Sequence, residues 1–546
     1  MKYNNKKAII FLPLLLCVVA VGGFFVGKYT STSSDSNIDF YGKIRNLRDL
    51  MPSSKFGQVL SLIDNNYVDS IDIDTLTEEY ISKMLHKLDP HSAYIPAKDA
   101  KESNEHLEGE FDGIGVMFNM LTDTVIVQNV ISGGPAEKMG VLAGDRILII
   151  EDSLVAGKKI NQNAIVKKLK GVGGTTVHIA VQREGVSELL KFAIVRDKIP
   201  IKSIDAAFMV APNIGYIKLL QFARTTHSEF TKAVEELKNQ GMTKLIFDLT
   251  SNSGGYLDQA ILIANEFLPS GKMIVYTQGR NSKLAEQFSD GNGKFTDQEL
   301  VVMIDEGSAS SSEIVAGALQ DNDRGTLIGR RSFGKGLVQH QIPFNDGSLL
   351  NLTIARYHTP TGRCIQRPYD KGYDEYYNDF FKRYVDSELL NKDSIKLSDS
   401  LKYTTPKGKI VYGGGGIMPD IFVPIDTTLI SKETRKIMID NTLFRYTLRY
   451  TDAHRKELTD LKTLPELEKY FNDNDSKMYS EFLAFARHSG KTVNLSAKDR
   501  ELAMNYIKAY IARNSSASDN GFYMYFNRFD NIFETSLKSL SSIVVK

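Results

Sequence analysis

Between residues 214 and 304 the chain alternates short apolar runs with longer stretches of helical spacing, and nothing else in it constrains the fold as strongly. Residues 214–217, 244–249, 273–276 and 300–304 read as strands, and 228–239 and 258–267 as helices. Strands that are apolar on both faces need cover on both faces, and strand–helix–strand succession supplies it through crossover connections. At least a partly parallel sheet is expected, with further strands at 327–328, 336–342 and 348–357.

A chain of 546 residues is too long for one core. Between 108 and 197, strand-like runs at 113–118, 125–127, 146–150, 176–182 and 189–195 surround a short helix at 164–169, which makes a β-rich domain. The α/β core is expected over 198–430, with 85–107 packing on it and the Tyr-, Asp- and Lys-rich stretch 366–400 as an excursion. Residues 31–107 form a polar tether and a helical segment, spaced for example as Phe56, Leu60 and Ile63 and ended by Asp89-Pro90. Residues 431–546 are again helical in pattern. The chain thus reads as multidomain α+β.

Lys2, Lys6 and Lys7 precede an uncharged, mainly apolar run over 8–27, closed by Lys28. Its 20 residues are long enough to cross a bilayer as a helix. Basic residues on its amino side imply that this end stays inside and the body is exported. A membrane anchor over residues 1–30 is expected, the alternative being a signal peptide cleaved near Ala20-Val21-Gly22 and a secreted product. Cys17 lies in that run, so Cys364 is the single cysteine of the body and no disulfide framework supports it. With 67 Lys+Arg against 66 Asp+Glu, bulk charge offers no attraction to nucleic acid or to acidic substrates.

Chemistry concentrates in Gly307-Ser308-Ala309-Ser310-Ser311-Ser312-Glu313-Ile314 and in Phe333-Gly334-Lys335-Gly336. Ser310 and Glu313 have the spacing of a capping box, so a helix starts there. A serine at that position lies beside unpaired backbone N–H groups and the positive end of the helix dipole, which favour an oxyanion. A neutral lysine can remove the serine's proton. The run Gly329-x-x-x-x-Gly334-Lys335 also looks like a phosphate loop, but Gly336 lacks the hydroxyl that magnesium needs and 337–342 alternates like a strand. Asp248-Leu249-Thr250-Ser251-Asn252-Ser253-Gly254-Gly255 closes a strand with a turn whose glycines let backbone amides approach a ligand. The nine histidines form no metal-type pattern, no Gly-x-Ser-x-Gly elbow is present, and His86 and His91 read as structural.

Together these segments resemble the carboxyl-terminal processing (tail-specific) serine proteases, from about Asp89 to Val423. Leu88-Asp89-Pro90-His91-Ser92-Ala93-Tyr94 is similar to one family signature. Gly113-Ile114-Gly115-Val116, with 133–136 and 140–147, is similar to the family's PDZ domain. The two segments carrying Ser310 and Lys335, then Gln339, Thr361-Gly362-Arg363, Gln366 and Gly416-Ile417-Met418-Pro419-Asp420 follow in family order.

The resemblance implies Ser310 as nucleophile, Lys335 as general base and Gln339 as the residue that orients that lysine, with Glu313 near the site. It assigns oxyanion donors to the backbone amides of Ser311 and of Gly254 or Gly255, and no metal or cofactor. Gly113, Ile114, Gly115 and Val116 would hold a substrate's terminal carboxylate, while its tail adds as a strand. The expected substrates are exported proteins or peptides with exposed apolar C-termini. Gating by the PDZ domain is expected by analogy, and the helical ends are candidates for assembly with a second copy or an activating adaptor. Two departures stand out: Thr250 where the family usually has arginine, and Ser311 where many relatives have alanine. The competing reading is a PDZ-bearing scaffold with a silent core, and Ser310, Lys335 and Gln339 at family spacing argue against it.

Overall fold

A computed structural model describes residues 54–121 and 123–541. The described residues fall into two compact units that divide at Tyr80/Ile81. In the first, the helix Lys55–Asn66 starts at Ser54, whose side chain accepts the Gly57 N–H. The helix Ile73–Leu85 leads into the second unit.

The centre of the second unit is a six-stranded sheet in the order 204–211, 214–219, 244–248, 299–304, 326–329, 421–422. Its first pair is antiparallel and the others are parallel, the arrangement the alternating pattern implies. Ile214–Leu219 and Lys244–Asp248 are buried along their whole length, which is why both read as continuous apolar runs. Helices Thr226–Asn239, Leu257–Asn265 and Ser311–Asp321 cover this sheet, and Phe230, Phe247, Phe267 and Phe295 pack together between the layers. Each such ring contributes about 1.5–3 kcal/mol by leaving water. Every residue of Ser311–Asp321 is buried, consistent with its nearly all-apolar or small composition.

The strand Met273–Gln278 joins a second sheet, with Ala93–Ile95, Leu349–His358 and Ala285–Phe288; Leu337–Pro343 pairs with Leu349–His358. That sheet carries the Lys335 loop against the first. The β-rich module is a sheet of Val116–Leu121, Thr124–Val130, Arg146–Ile150, Thr176–Gln182 and Leu190–Val195, with the helix Gln162–Leu169 packed on it. Val116–Leu121 lies at one edge.

Over 432–541 the chain is mainly helical, and Leu443, Tyr446, Phe471, Phe482, Ile507 and Tyr525 form its own core. This region also reaches its neighbours. Phe444 and Leu448 pack on Ile126 of the β-rich module, and Ile532 and Leu540 pack under the central sheet.

The expected membrane anchor, and the extracytoplasmic placement built on it, require correction. Among the described residues no helix is long and apolar enough to cross a membrane. The longest, Leu464–His488, has 25 residues but carries Glu466, Glu468, Lys469, Asp473, Asp475 and Lys477. The apolar run 8–27 lies outside the described residues.

Candidate active site

Three segments meet beside the start of the helix Ser311–Asp321. The first is the turn after the strand Lys244–Asp248. Asp248 accepts hydrogen bonds from Tyr216 Oη (2.7 Å), Lys218 Nζ (3.0 Å) and Thr250 N (2.8 Å). Lys218 Nζ also donates to the Thr250 carbonyl, at 2.7 Å. Thr250 stands where arginine was expected, and the positive charge at this turn arrives from the neighbouring strand instead. Asn252 then lines up the rest, donating to Leu219 O (3.0 Å) and accepting the Gly254 N–H (2.9 Å).

The second segment is 305–313. Ser308 Oγ donates to Leu249 O, Ser311 Oγ to Gly255 O and Ser312 Oγ to Asn252 O, each within 2.8–2.9 Å. Among the described residues Ser310 Oγ donates to no protein acceptor, so of the four serines it alone keeps its hydroxyl proton available. Its backbone has φ 52° and ψ −111°, a conformation that a non-glycine residue holds only when its surroundings impose it. Gly254 comes so close that a Cβ there would lie 2.8 Å from Ser310 Cβ.

The third segment is 332–336, held by Glu313. This buried carboxylate accepts the Ser310 N–H and the Lys335 N–H on one oxygen, each at 2.9 Å, and the Ser332 hydroxyl (2.5 Å) and Gly334 N–H (2.6 Å) on the other. Burial pushes the carboxyl up to about 7, against the pull of those four donors. Tyr357 Oη lies within hydrogen-bond distance of both the Ser310 carbonyl (3.2 Å) and the Lys335 carbonyl (2.6 Å). One carboxylate and one phenol therefore lock the backbones of Ser310 and Lys335 to each other.

Lys335 Nζ donates to Gln339 Oε1 at 3.0 Å, and Gln339 Nε2 donates in turn to the His91 carbonyl. A β-bulge at Val338/Gln339 lies where this side chain leaves its strand. Burial holds the Lys335 amine below the usual lysine range, opposed by the charges of Glu313 and Asp89. No hydrogen bond joins Nζ to Ser310 Oγ, a gap common in substrate-free sites. Among the described residues the N–H groups of Ser311 and Gly255 have no protein acceptor, whereas the Gly254 N–H is taken by Asn252.

Ser310, Ser311, Glu313, Lys335, Gln339, Gly254 and Gly255 thus come together. Gly113, Ile114, Gly115 and Val116 lie apart, in the β-rich module, where Ile114 is buried and the Ile114 and Gly115 N–H groups have no acceptor among the described residues. Sequence reasoning missed Tyr357, Asn252, Lys218 and the His91 carbonyl. Only Lys218 left a signal, as one charge inside a strand otherwise apolar enough to be buried throughout.

Residues 213–372 match the family described as peptidase family S41, residues 113–194 match a PDZ domain, and residues 434–515 match a family of unknown function. A carboxy-terminal-processing protease of Bartonella bacilliformis is 40% identical over 318 residues, 57% of this chain and 72% of that protein. The carboxy-terminal processing protease CtpB of Bacillus subtilis is 34% identical over 316 residues, 57% of this chain and 65% of that protein. A solved photosystem II D1 C-terminal processing protease aligns over 69% of this chain and 88% of its own, at 23% identity and a TM-score of 0.36. The chain belongs to peptidase family S41 and is a serine peptidase of the carboxy-terminal processing class.

Proposed function

We propose that the chain cleaves protein or peptide substrates near an exposed, apolar C-terminus with a Ser310/Lys335 dyad. The observation that carries this reading is the Ser310 hydroxyl, the only one of its cluster without an acceptor among the described residues, on a backbone that Glu313 and Tyr357 lock to that of a buried lysine. Neutral Lys335 Nζ takes the Ser310 proton as Oγ attacks the substrate carbonyl. The tetrahedral oxyanion is held by the N–H groups of Ser311 and Gly255. Nζ then delivers its proton to the leaving amine, the C–N bond breaks, and an acyl-enzyme remains on Oγ. Water attacks that ester, Nζ again accepting a proton, and Ser310 is released. Gln339 keeps Nζ oriented through this cycle.

In the PDZ module, the N–H groups of the Gly113–Val116 loop bind the terminal carboxylate, and the tail pairs with the exposed edge of Val116–Leu121. Free carboxylate recognition is what directs cleavage to C-termini.

The test is incubation with an unfolded protein that has an apolar C-terminus, with products read by mass spectrometry. Wild type should cleave, and Ser310→Ala and Lys335→Ala should both lose turnover by at least about 10³-fold while staying folded. Cleavage at the wild-type rate by folded Ser310→Ala would refute the dyad. Equal cleavage of an amidated tail would refute carboxylate recognition.

A further inference from the structure

The family match ends at residue 372, one position before the helix Tyr373–Val385. That helix nevertheless packs on the Lys335 loop. Arg383 donates to the carbonyls of Ser332 (3.0 Å) and Arg331 (2.7 Å), and Tyr377 Oη donates to Pro90 O at 3.2 Å. Tyr376 is 2% exposed, with the Arg367 guanidinium 4.1 Å from its ring centre.

The Tyr376 hydroxyl is the meeting point of two arms that reach Lys335 from opposite sides. On one side it lies 3.1 Å from His91 Nε2, and the carbonyl of that same histidine holds Gln339, which holds Nζ. On the other it accepts from Gln366 Nε2 at 3.4 Å, while Gln366 Oε1 accepts the N–H of Gly336, the next residue after Lys335, at 2.8 Å. With its oxygen accepting from Gln366, the phenol's own proton is directed to His91 Nε2. Burial is the largest cause pushing the His91 imidazole down to about 3, so the ring is neutral and accepts that proton.

We propose that Tyr376 is a positioning residue for Lys335, its hydroxyl tying the His91–Gln339 arm to the Gln366–Gly336 arm and so fixing where Nζ lies. This rests on the reading of Lys335 as the base. Cutting the tie lets the loop relax and water reach Nζ, which raises the pH at which the amine becomes neutral. The other titratable or charged groups around it are Glu313 on the serine helix, Asp89 and His91 on the 89–92 turn, Tyr357 on its strand, and Arg367. Tyr376→Phe removes none of these groups and changes the charge of none.

The experiment measures the rate of Ser310 labelling by a fluorophosphonate across pH, in the full chain, with a thermal midpoint for each variant. In Tyr376→Phe the pH midpoint of labelling should rise by about one unit, with about tenfold slower labelling below it, at a near-wild-type thermal midpoint. Gln366→Met, which cuts one arm and leaves the phenol, should shift the midpoint in the same direction. Tyr384→Phe, on the same helix but bonded to Glu306, should label as wild type does. An unchanged pH midpoint in both Tyr376→Phe and Gln366→Met, whatever their thermal stability, overturns the proposal. Lys335→Ala labelling at the wild-type rate would instead overturn the base assignment, and the proposal with it.

Discussion

Replacing Glu313 by glutamine tests the lock between Ser310 and Lys335 through its pH dependence. The wild-type carboxyl titrates near 7 in the fold, against an ordinary value of 4.5. A raised folded value means that its stabilising contribution is full below 4.5 and lost as pH rises through about 7. Over about pH 5 to about pH 8 that loss amounts to roughly 2–3 kcal/mol. Glutamine does not titrate, so the variant lacks this slope. It resembles the protonated acid, but its amide nitrogen cannot accept the donors that the carboxyl oxygen accepts, which costs about 1–3 kcal/mol at any pH. The wild type should therefore be the more stable protein by about 1–3 kcal/mol near pH 5, and the gap should close or reverse near pH 8. Hydrogen exchange in the wholly buried helix Ser311–Asp321, corrected for the intrinsic rate at each pH, reads this opening free energy without assuming that a multidomain chain unfolds in one step. A gap that stays constant, or widens at the higher pH, refutes the reasoning.

Lys218→Met leaves Asp248 buried without its cation, and the core should lose about 3–5 kcal/mol, visible as a lower thermal midpoint with reduced turnover. Gly254→Ala places a Cβ at φ 103°, 2.8 Å from Ser310 Cβ and 2.9 Å from the Ala309 carbonyl. Backbone strain of about 1–3 kcal/mol should displace Ser310 and abolish fluorophosphonate labelling, while C-terminal peptide binding by the PDZ module, measured by titration, stays as in wild type.

The elements of the core were legible because each carries its own period. The strands over 244–248 and 300–304 are apolar on both faces, and 226–239 repeats apolar residues at helical spacing, as expected almost to the residue. The start of the serine helix was legible in Ser310 and Glu313, whose side chain does bond back to the Ser310 N–H. The strand Met273–Gln278 was recognisable as a strand, but its membership of a separate antiparallel sheet was not, since pairing is decided by Leu349–His358 far along the chain. Tyr357 and the His91 carbonyl were invisible for the same reason, having no local partner. The helix Tyr373–Val385 could have been found. Tyr376, Tyr377, Phe380, Phe381 and Tyr384 form an aromatic stripe at helical spacing, inside a stretch whose polar composition suggested only an excursion.

The bond from Gln339 to the His91 carbonyl joins residues 248 apart in the chain, and that from Lys244 to the Leu540 carbonyl joins residues 296 apart. Contacts of such separation form late in folding, and a chain emerges from synthesis N-terminus first. Ser310 is made before Lys335, and Lys335 before Tyr376 and the helix Asn531–Ser541 that packs under the sheet. Under the proposed roles, a growing polypeptide carries its nucleophile without a working base. The order of manufacture therefore withholds cutting power during the interval when the molecule's own unfolded segments would be the nearest thing to cut.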